Sequence, residues 1–76
     1  MGYGYSQRIA ALNKRADASS LGVMLGRVCI DTSTSVLEVT EKLGVSRTTV
    51  YNWFTGTSVP KPKYHAAINK LLKRLS

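Results

Sequence analysis

The sequence predicts an all-α fold of about five helices in one small, compact domain. Apolar residues recur at spacings of three and four along almost the whole chain, and no segment shows the alternating pattern of a strand. The chain of 76 residues is too short for two hydrophobic cores, and its single cysteine cannot form an internal disulfide. We therefore expect residues 5–76 to form one helical domain behind a flexible tail, residues 1–4.

The first two predicted helices span about residues 5–16 and 19–31. Their apolar stripes are Tyr5, Ile9, Leu12 and Ala16 in the first helix, and Leu21, Leu25, Val28 and Cys29 in the second. The segment 17–20, Asp-Ala-Ser-Ser, is able to cap the second helix. Gly22 and Gly26 either weaken that helix or let another backbone approach it, and simple packing is the interpretation we favour.

Capping signals bound the next two helices, which are separated by one short turn. Ser35 and Glu38 have the spacing of a capping box and begin the third helix. Gly44 ends it, because glycine adopts the left-handed conformation at low steric cost. Ser46 then caps a fourth helix of about residues 46–55.

The last helix has the most regular stripe of the sequence. Its apolar residues follow the helical spacing throughout: Tyr64, Ala67, Ile68, Leu71, Leu72 and Leu75. A loop containing Pro60 and Pro62 precedes it, and the two prolines stiffen that loop by fixing φ.

The net charge of +7 is confined to the second half of the chain. Residues 1–41 hold four basic and four acidic side chains, whereas residues 42–76 hold seven basic side chains and no acidic one. This asymmetry indicates a polyanionic partner. No apolar run approaches the ~18 residues of a membrane span and no signal segment is evident, so we expect a cytoplasmic protein without a membrane partner.

Residues 35–56 are predicted to form a helix-turn-helix, because that motif consists of two short helices joined by a tight turn, which Gly44 provides here. Five apolar side chains would fill the wedge between the two helices: Val39, Leu43, Val45, Val50 and Trp53. The opposite side of the fourth helix would then be free to enter the major groove of DNA.

Residues 36–56, VLEVTEKLGVSRTTVYNWFTG, resemble the helix-turn-helix of the phage repressor and Cro family. Six residues match that family's pattern in register: Gly44, Val45, Ser46, Val50, Trp53 and Gly56. Thr40 departs from it, because the family usually has alanine there, and its hydroxyl must turn outward or bond to its own helix. The resemblance implies sequence-specific binding of double-stranded DNA, usually regulation of transcription, and commonly a homodimer.

The same resemblance places Arg47, Thr48 and Asn52 toward base edges. Their own chemistry agrees, since arginine pairs with guanine, asparagine with adenine, and threonine can contact a thymine methyl group. Seven further residues are predicted to contact the DNA backbone: Ser46, Thr49, Tyr51, Thr55, Thr57, Lys61 and Lys63. The positive N-termini of the third and fourth helices would assist these contacts.

The sequence does not indicate an enzyme. It contains no catalytic triad or glycine-rich phosphate loop, and one cysteine with one histidine cannot form a four-ligand zinc site. We therefore expect no metal, cofactor or small-molecule substrate. Cys29 and Trp53 are interpreted as core residues, and His65 as a surface or interface residue.

A second hypothesis is a small phage-type protein that binds and inhibits a host protein such as RNA polymerase. Aromatic side chains are enriched at protein interfaces, and three tyrosines are available for that use: Tyr3, Tyr5 and Tyr64. The polar and basic surface expected on the fourth helix favours DNA instead.

Overall fold

A computed structural model describes residues 5–75, and within that range every element of secondary structure is a helix. The helices are α1 (Gln7–Arg15), α2 (Leu21–Asp31), α3 (Val36–Leu43), α4 (Arg47–Phe54) and α5 (His65–Leu75), with a 3-10 turn at Pro62–Tyr64 before α5. The predicted all-α fold of five helices is confirmed. The predicted tail lies outside the described residues. None of the described helices has the length and apolarity needed to cross a membrane.

The predicted ends of α1 and α2 need small corrections. The Ser6 hydroxyl accepts the amide of Ile9, so α1 begins after Tyr5. Ser20 occupies the N-cap position of α2, but its hydroxyl makes no capping bond and is buried without a hydrogen-bond partner. The Asp17 carboxylate accepts the amide and the hydroxyl of Ser19 at 2.9 and 2.8 Å instead. Asp17 and Ser19 therefore form hydrogen bonds within segment 17–20, and no side chain of this segment caps α2.

The hydrophobic core lies around α2, which packs against α1, α4 and α5. Its buried apolar side chains come from every helix except α1: Val23, Leu25, Cys29, Val36, Val39, Val50, Trp53, Phe54, Ile68 and Leu71, together with Tyr5 before α1. The predicted stripe of the first helix is wrong at Leu12, which is 38% exposed, while the neighbouring Asn13 is only 2% exposed. Ile9 packs against the core as expected and Ala16 is half-buried, so the inward face of α1 departs from the prediction only where Asn13 takes the place of Leu12.

Asn13 connects three helices through a buried side-chain amide. Its Nδ2 donates to the carbonyl oxygen of Val23 at 3.1 Å and to that of Phe54 at 2.7 Å. The last four carbonyls of a helix have no partner within the helix, and Phe54 is the final residue of α4. Asn13 therefore satisfies an acceptor at the end of α4 and fixes that end against α1 and α2.

The two glycines of α2 let it lie directly against α4. A Cβ atom at Gly22 would be 2.7 Å from the Cβ of Trp53, and one at Gly26 would be 2.8 Å from Cγ of Phe54. Both distances are well below van der Waals contact. The packing interpretation of these glycines is confirmed, because they let α4 lie closer to α2 than a larger residue would permit.

Candidate nucleic-acid interface

Local capping bonds define the α3–turn–α4 unit, residues 35–55. The Ser35 hydroxyl accepts the amide of Glu38 at 3.2 Å, and the Ser46 hydroxyl accepts the amide of Thr49 at 3.2 Å. Gly44 has φ of 68°, and its amide donates to the carbonyl of Thr40 at 2.8 Å. The predicted starts and stops of both helices are confirmed, and only residues 44–46 separate them.

The inner face of α4 is held in the core, as the sequence predicts. Val50, Trp53 and Phe54 are buried, Val39 of α3 is fully buried opposite them, and Leu43 and Val45 pack against the same cluster. The Thr40 hydroxyl donates to the carbonyl of Leu37 at 2.7 Å. This is one of the two arrangements expected for Thr40, and it satisfies the hydroxyl within α3.

The outer face of α4 carries the three residues predicted to read bases. Arg47 and Thr48 are exposed, and Asn52 is half-buried. At about 100° per residue, Arg47, Thr48 and Asn52 fall within an arc of about 140° on the side opposite Val50 and Trp53. The half-buried Tyr51 falls within the same arc, so this face of α4 combines three polar side chains with one aromatic ring.

Four of the seven residues predicted to contact the DNA backbone line one shallow groove beside α4, of about 490 Å³. They are Ser46, Thr49, Lys61 and Lys63. Lys61 and Lys63 are exposed, so both can place an ammonium group on a ligand in the groove. The hydroxyls of Ser46 and Thr49 also bond to each other at 3.0 Å, which fixes their positions at the start of α4.

The other three backbone candidates do not line this groove. Tyr51 is half-buried and packs against the core cluster. The Thr55 hydroxyl donates to the carbonyl of Tyr51 at 2.9 Å and shares a hydrogen bond with the Thr57 hydroxyl at 3.0 Å. Thr55 and Thr57 thus support the C-terminal end of α4, at the opposite end from Ser46.

The segment before α5 that carries Lys61 and Lys63, called here the lysine-bearing loop, is held in place by side-chain contacts that the sequence did not predict. Tyr64 packs on Trp53 with ring centroids 5.4 Å apart, and the Lys63 ammonium lies 5.1 Å from the centre of the Tyr64 ring. Pro60 is buried, and its carbonyl oxygen lies 3.1 Å from Nε2 of the exposed His65. The two prolines were the available signal that this loop is held rigid.

Two buried titratable side chains, Tyr5 and Cys29, belong to the core cluster. The Tyr5 hydroxyl donates to the carbonyl of Thr34 at 2.7 Å, and burial raises the pKa of this phenol. Cys29 is fully buried, and burial raises the pKa of its thiol to about 12. Cys29 is a core residue, as predicted. Among residues 5–75, no three His, Cys, Asp or Glu side chains are grouped as metal ligands would be.

Comparison with protein-family models, curated protein sequences and solved structures finds no match to this chain. The comparisons therefore assign no family to this chain.

Proposed function

We propose that this protein binds double-stranded DNA sequence-specifically and regulates transcription by occupying an operator. One observation carries the proposal. The outer face of α4, with exposed Arg47 and Thr48, lies beside a groove that holds Lys61 and Lys63, within a half of the chain that has no acidic residue. A largely polar helix face beside two exposed lysines suits a major groove bordered by phosphates.

Phosphate contacts would supply most of the affinity. Lys61 and Lys63 would displace condensed counterions from the DNA, so binding should weaken as salt concentration rises. Because Tyr64 and Pro60 hold the loop in place, little conformational entropy is lost when the two lysines meet a phosphate.

Base recognition would come from the outer face of α4. Arg47 can form two hydrogen bonds with guanine, Asn52 can form two with adenine, and Thr48 can contact a thymine methyl group. Thr49 and Ser46 set the helix on the backbone but carry no sequence information. Phage repressors and Cro proteins, which residues 36–56 resemble, work by this division of roles.

The test begins by selecting bound duplexes from a random pool. Wild type, Arg47→Ala and Lys61→Ala are then titrated against the selected duplex and a scrambled one at several salt concentrations. We expect Arg47→Ala to weaken binding of the selected duplex by about 1–3 kcal/mol and to affect the scrambled duplex much less. We expect Lys61→Ala to weaken both and to reduce the salt slope by about 0.9.

Lys73→Ala is the matched control, because Lys73 is an exposed α5 cation outside the groove beside α4. It removes the same charge and should leave the selectivity unchanged. Equal losses on both duplexes for Arg47→Ala would remove that residue from base recognition, and a pool that yields no preferred sequence would contradict operator binding.

A homodimer is part of this proposal, since a two-fold operator has half-sites about 34 Å apart that one copy of α4 cannot reach together. The mass of the complex with the selected duplex measures the number of copies bound. One copy on a site without two-fold symmetry would exclude the homodimer while leaving DNA binding intact.

The rival hypothesis of an inhibitor of a host protein such as RNA polymerase gains no support from the tyrosines. Tyr5 is buried, Tyr64 is half-buried against Trp53, and Tyr3 lies outside the described residues. Neither Tyr5 nor Tyr64 presents a free aromatic face of the kind that anchors protein interfaces.

A further inference from the structure

A second groove, of about 450 Å³, lies where α3 meets α5. Its lining residues are Lys42 and Leu43 from the end of α3, and Ala67, Lys70, Leu71 and Arg74 from α5. It shares no lining residue with the groove beside α4. The DNA proposal above makes no use of it.

The α3–α5 groove combines three apolar side chains, which form its floor, with three exposed cations. Leu71 is buried, Leu43 is half-buried and Ala67 is exposed, while Lys42, Lys70 and Arg74 are all exposed. No acidic residue lines the groove to neutralise them. The three cations therefore surround apolar surface without a counter-charge.

The spacing of the α5 residues gives the groove a direction. Ala67, Lys70 and Arg74 are three and four residues apart, so they lie along one side of α5 over about 10 Å. Lys70 and Arg74 are like charges on successive turns, an arrangement that disfavours a helix on its own. A ligand with carboxylates one helical turn apart would place a negative charge beside each of these two cations and so offset their repulsion.

We propose that the α3–α5 groove binds an acidic amphipathic helix of a partner protein. Leucine side chains of the partner would cover the exposed surface of Leu43 and Ala67 beside the buried Leu71, and carboxylates four residues apart would pair with Lys70 and Arg74. Lys42 would face the partner from the α3 side. Charge complementarity and the apolar floor together select this occupant, because an amphipathic helix supplies both kinds of contact.

DNA satisfies only part of this chemistry. A phosphate can pair with each cation, but a phosphate row offers no apolar side chain to cover the leucines in the floor. The two grooves share no lining residue, so the partner helix would not compete with DNA for the same side chains. The inference stands whether or not α4 binds DNA.

The first experiment measures fluorescence anisotropy of a labelled peptide of about 15 residues, long enough for a helix to form on binding. The peptide repeats leucine at alternating spacings of three and four residues, so that the leucines form one face of a helix. It carries glutamates four residues apart next to that face. The control peptide has glutamine at every glutamate position. We expect the glutamate peptide to bind the full chain at least about tenfold more tightly than the glutamine peptide.

Charge reversal at single positions then locates the site. Lys70→Glu and Arg74→Glu should each weaken binding of the glutamate peptide by about tenfold. Lys73→Glu changes the net charge by the same amount on the exposed side of α5 outside the groove, and should stay within about twofold of wild type. Circular dichroism checks that all three variants keep their helix content, as substitution of exposed residues should allow.

Chemical-shift mapping distinguishes the protein partner from DNA. The glutamate peptide should shift the amides of Lys42, Ala67 and Lys70 and leave those of Arg47 and Thr48 unchanged. Equal weakening by Lys73→Glu, or equal binding of the glutamine peptide, would show nonspecific charge attraction and overturn the proposal. If a short DNA duplex shifts Lys42, Ala67 and Lys70 while the peptide does not, the groove is a DNA surface and the proposal is wrong.

Discussion

The two faces of α4 meet very different surroundings. The inner face is fitted against α2 so closely that Gly22 and Gly26 have no room for a Cβ atom, and Asn13 bonds to the carbonyl at the end of the helix. The outer face presents Arg47 and Thr48 to solvent. The position of α4 is thus set by buried residues on its inner side, whereas the DNA contacts proposed for it rest on side chains of its outer side. Stability and binding should therefore be separable by substitution.

The largest effect is expected from Asn13→Asp. The side chain keeps its size, but the amide donor becomes a carboxylate oxygen facing the carbonyls of Val23 and Phe54. A buried charge without a partner should lower the free energy of unfolding by about 4 kcal/mol at neutral pH, measured by urea denaturation. That is a large part of the stability expected for a domain of this size.

Asn69→Asp is the control for Asn13→Asp, because Asn69 is exposed on α5 and the change in net charge is the same. We expect an effect within about 0.5 kcal/mol there. A similar loss for both variants would mean that Asn13 does not hold α4, and the contrast between the two faces would have to be explained by the glycines alone.

The next largest effect is expected from Gly26→Ala. The new methyl group would lie 2.6 Å from Nδ2 of Asn13 and 2.8 Å from Cγ of Phe54, so α4 or α1 must move outward. We expect the free energy of unfolding to fall by about 2–3 kcal/mol, as for other overpacked cores. Thermal or urea unfolding of the purified variant measures it.

Gly44→Ala separates crowding from backbone strain. Gly44 has φ of 68°, yet nothing lies within 4 Å of an added Cβ atom. Its cost should be limited to the left-handed conformation, about 1–2 kcal/mol. If Gly26→Ala costs no more than Gly44→Ala, the contact between α2 and α4 is looser than the distances indicate.

The α3–turn–α4 unit could be predicted almost to the residue because its signals are local. Ser35, Gly44 and Ser46 each act on backbone groups within four residues, and all three behave as expected. The outer face of α4 follows directly, since a correct helix start and a correct apolar stripe fix which side chains point away from the core.

Helix α1 could not be placed in the same way, because its orientation depends on distant partners. Leu12 and Asn13 are neighbours, and a hydrophobicity pattern favours burial of the leucine. Asn13 is buried instead because two carbonyl groups accept its amide, one of them 41 residues away in sequence. For the same reason the sequence did not reveal that Tyr64 and Pro60 anchor the lysine-bearing loop.

The smallest expected effect is on the pH dependence of stability, and it comes from the buried thiol of Cys29. Burial raises the pKa of the Cys29 thiol to about 12, above the ordinary value that it regains on unfolding. The folded state therefore holds this proton more tightly, and its contribution is complete at neutral pH and is lost as pH rises toward the folded pKa. We expect wild type to lose about 1 kcal/mol more than Cys29→Ala between neutral pH and about pH 10 in urea denaturation. The Tyr5 phenol and the Cys29 thiol interact, so the difference between the two proteins reports the loss of the thiol together with its effect on the phenol. A difference between the two proteins that stays constant with pH would show that burial does not raise the pKa of the thiol, and that the core around Cys29 is as open to water as the outer face of α4.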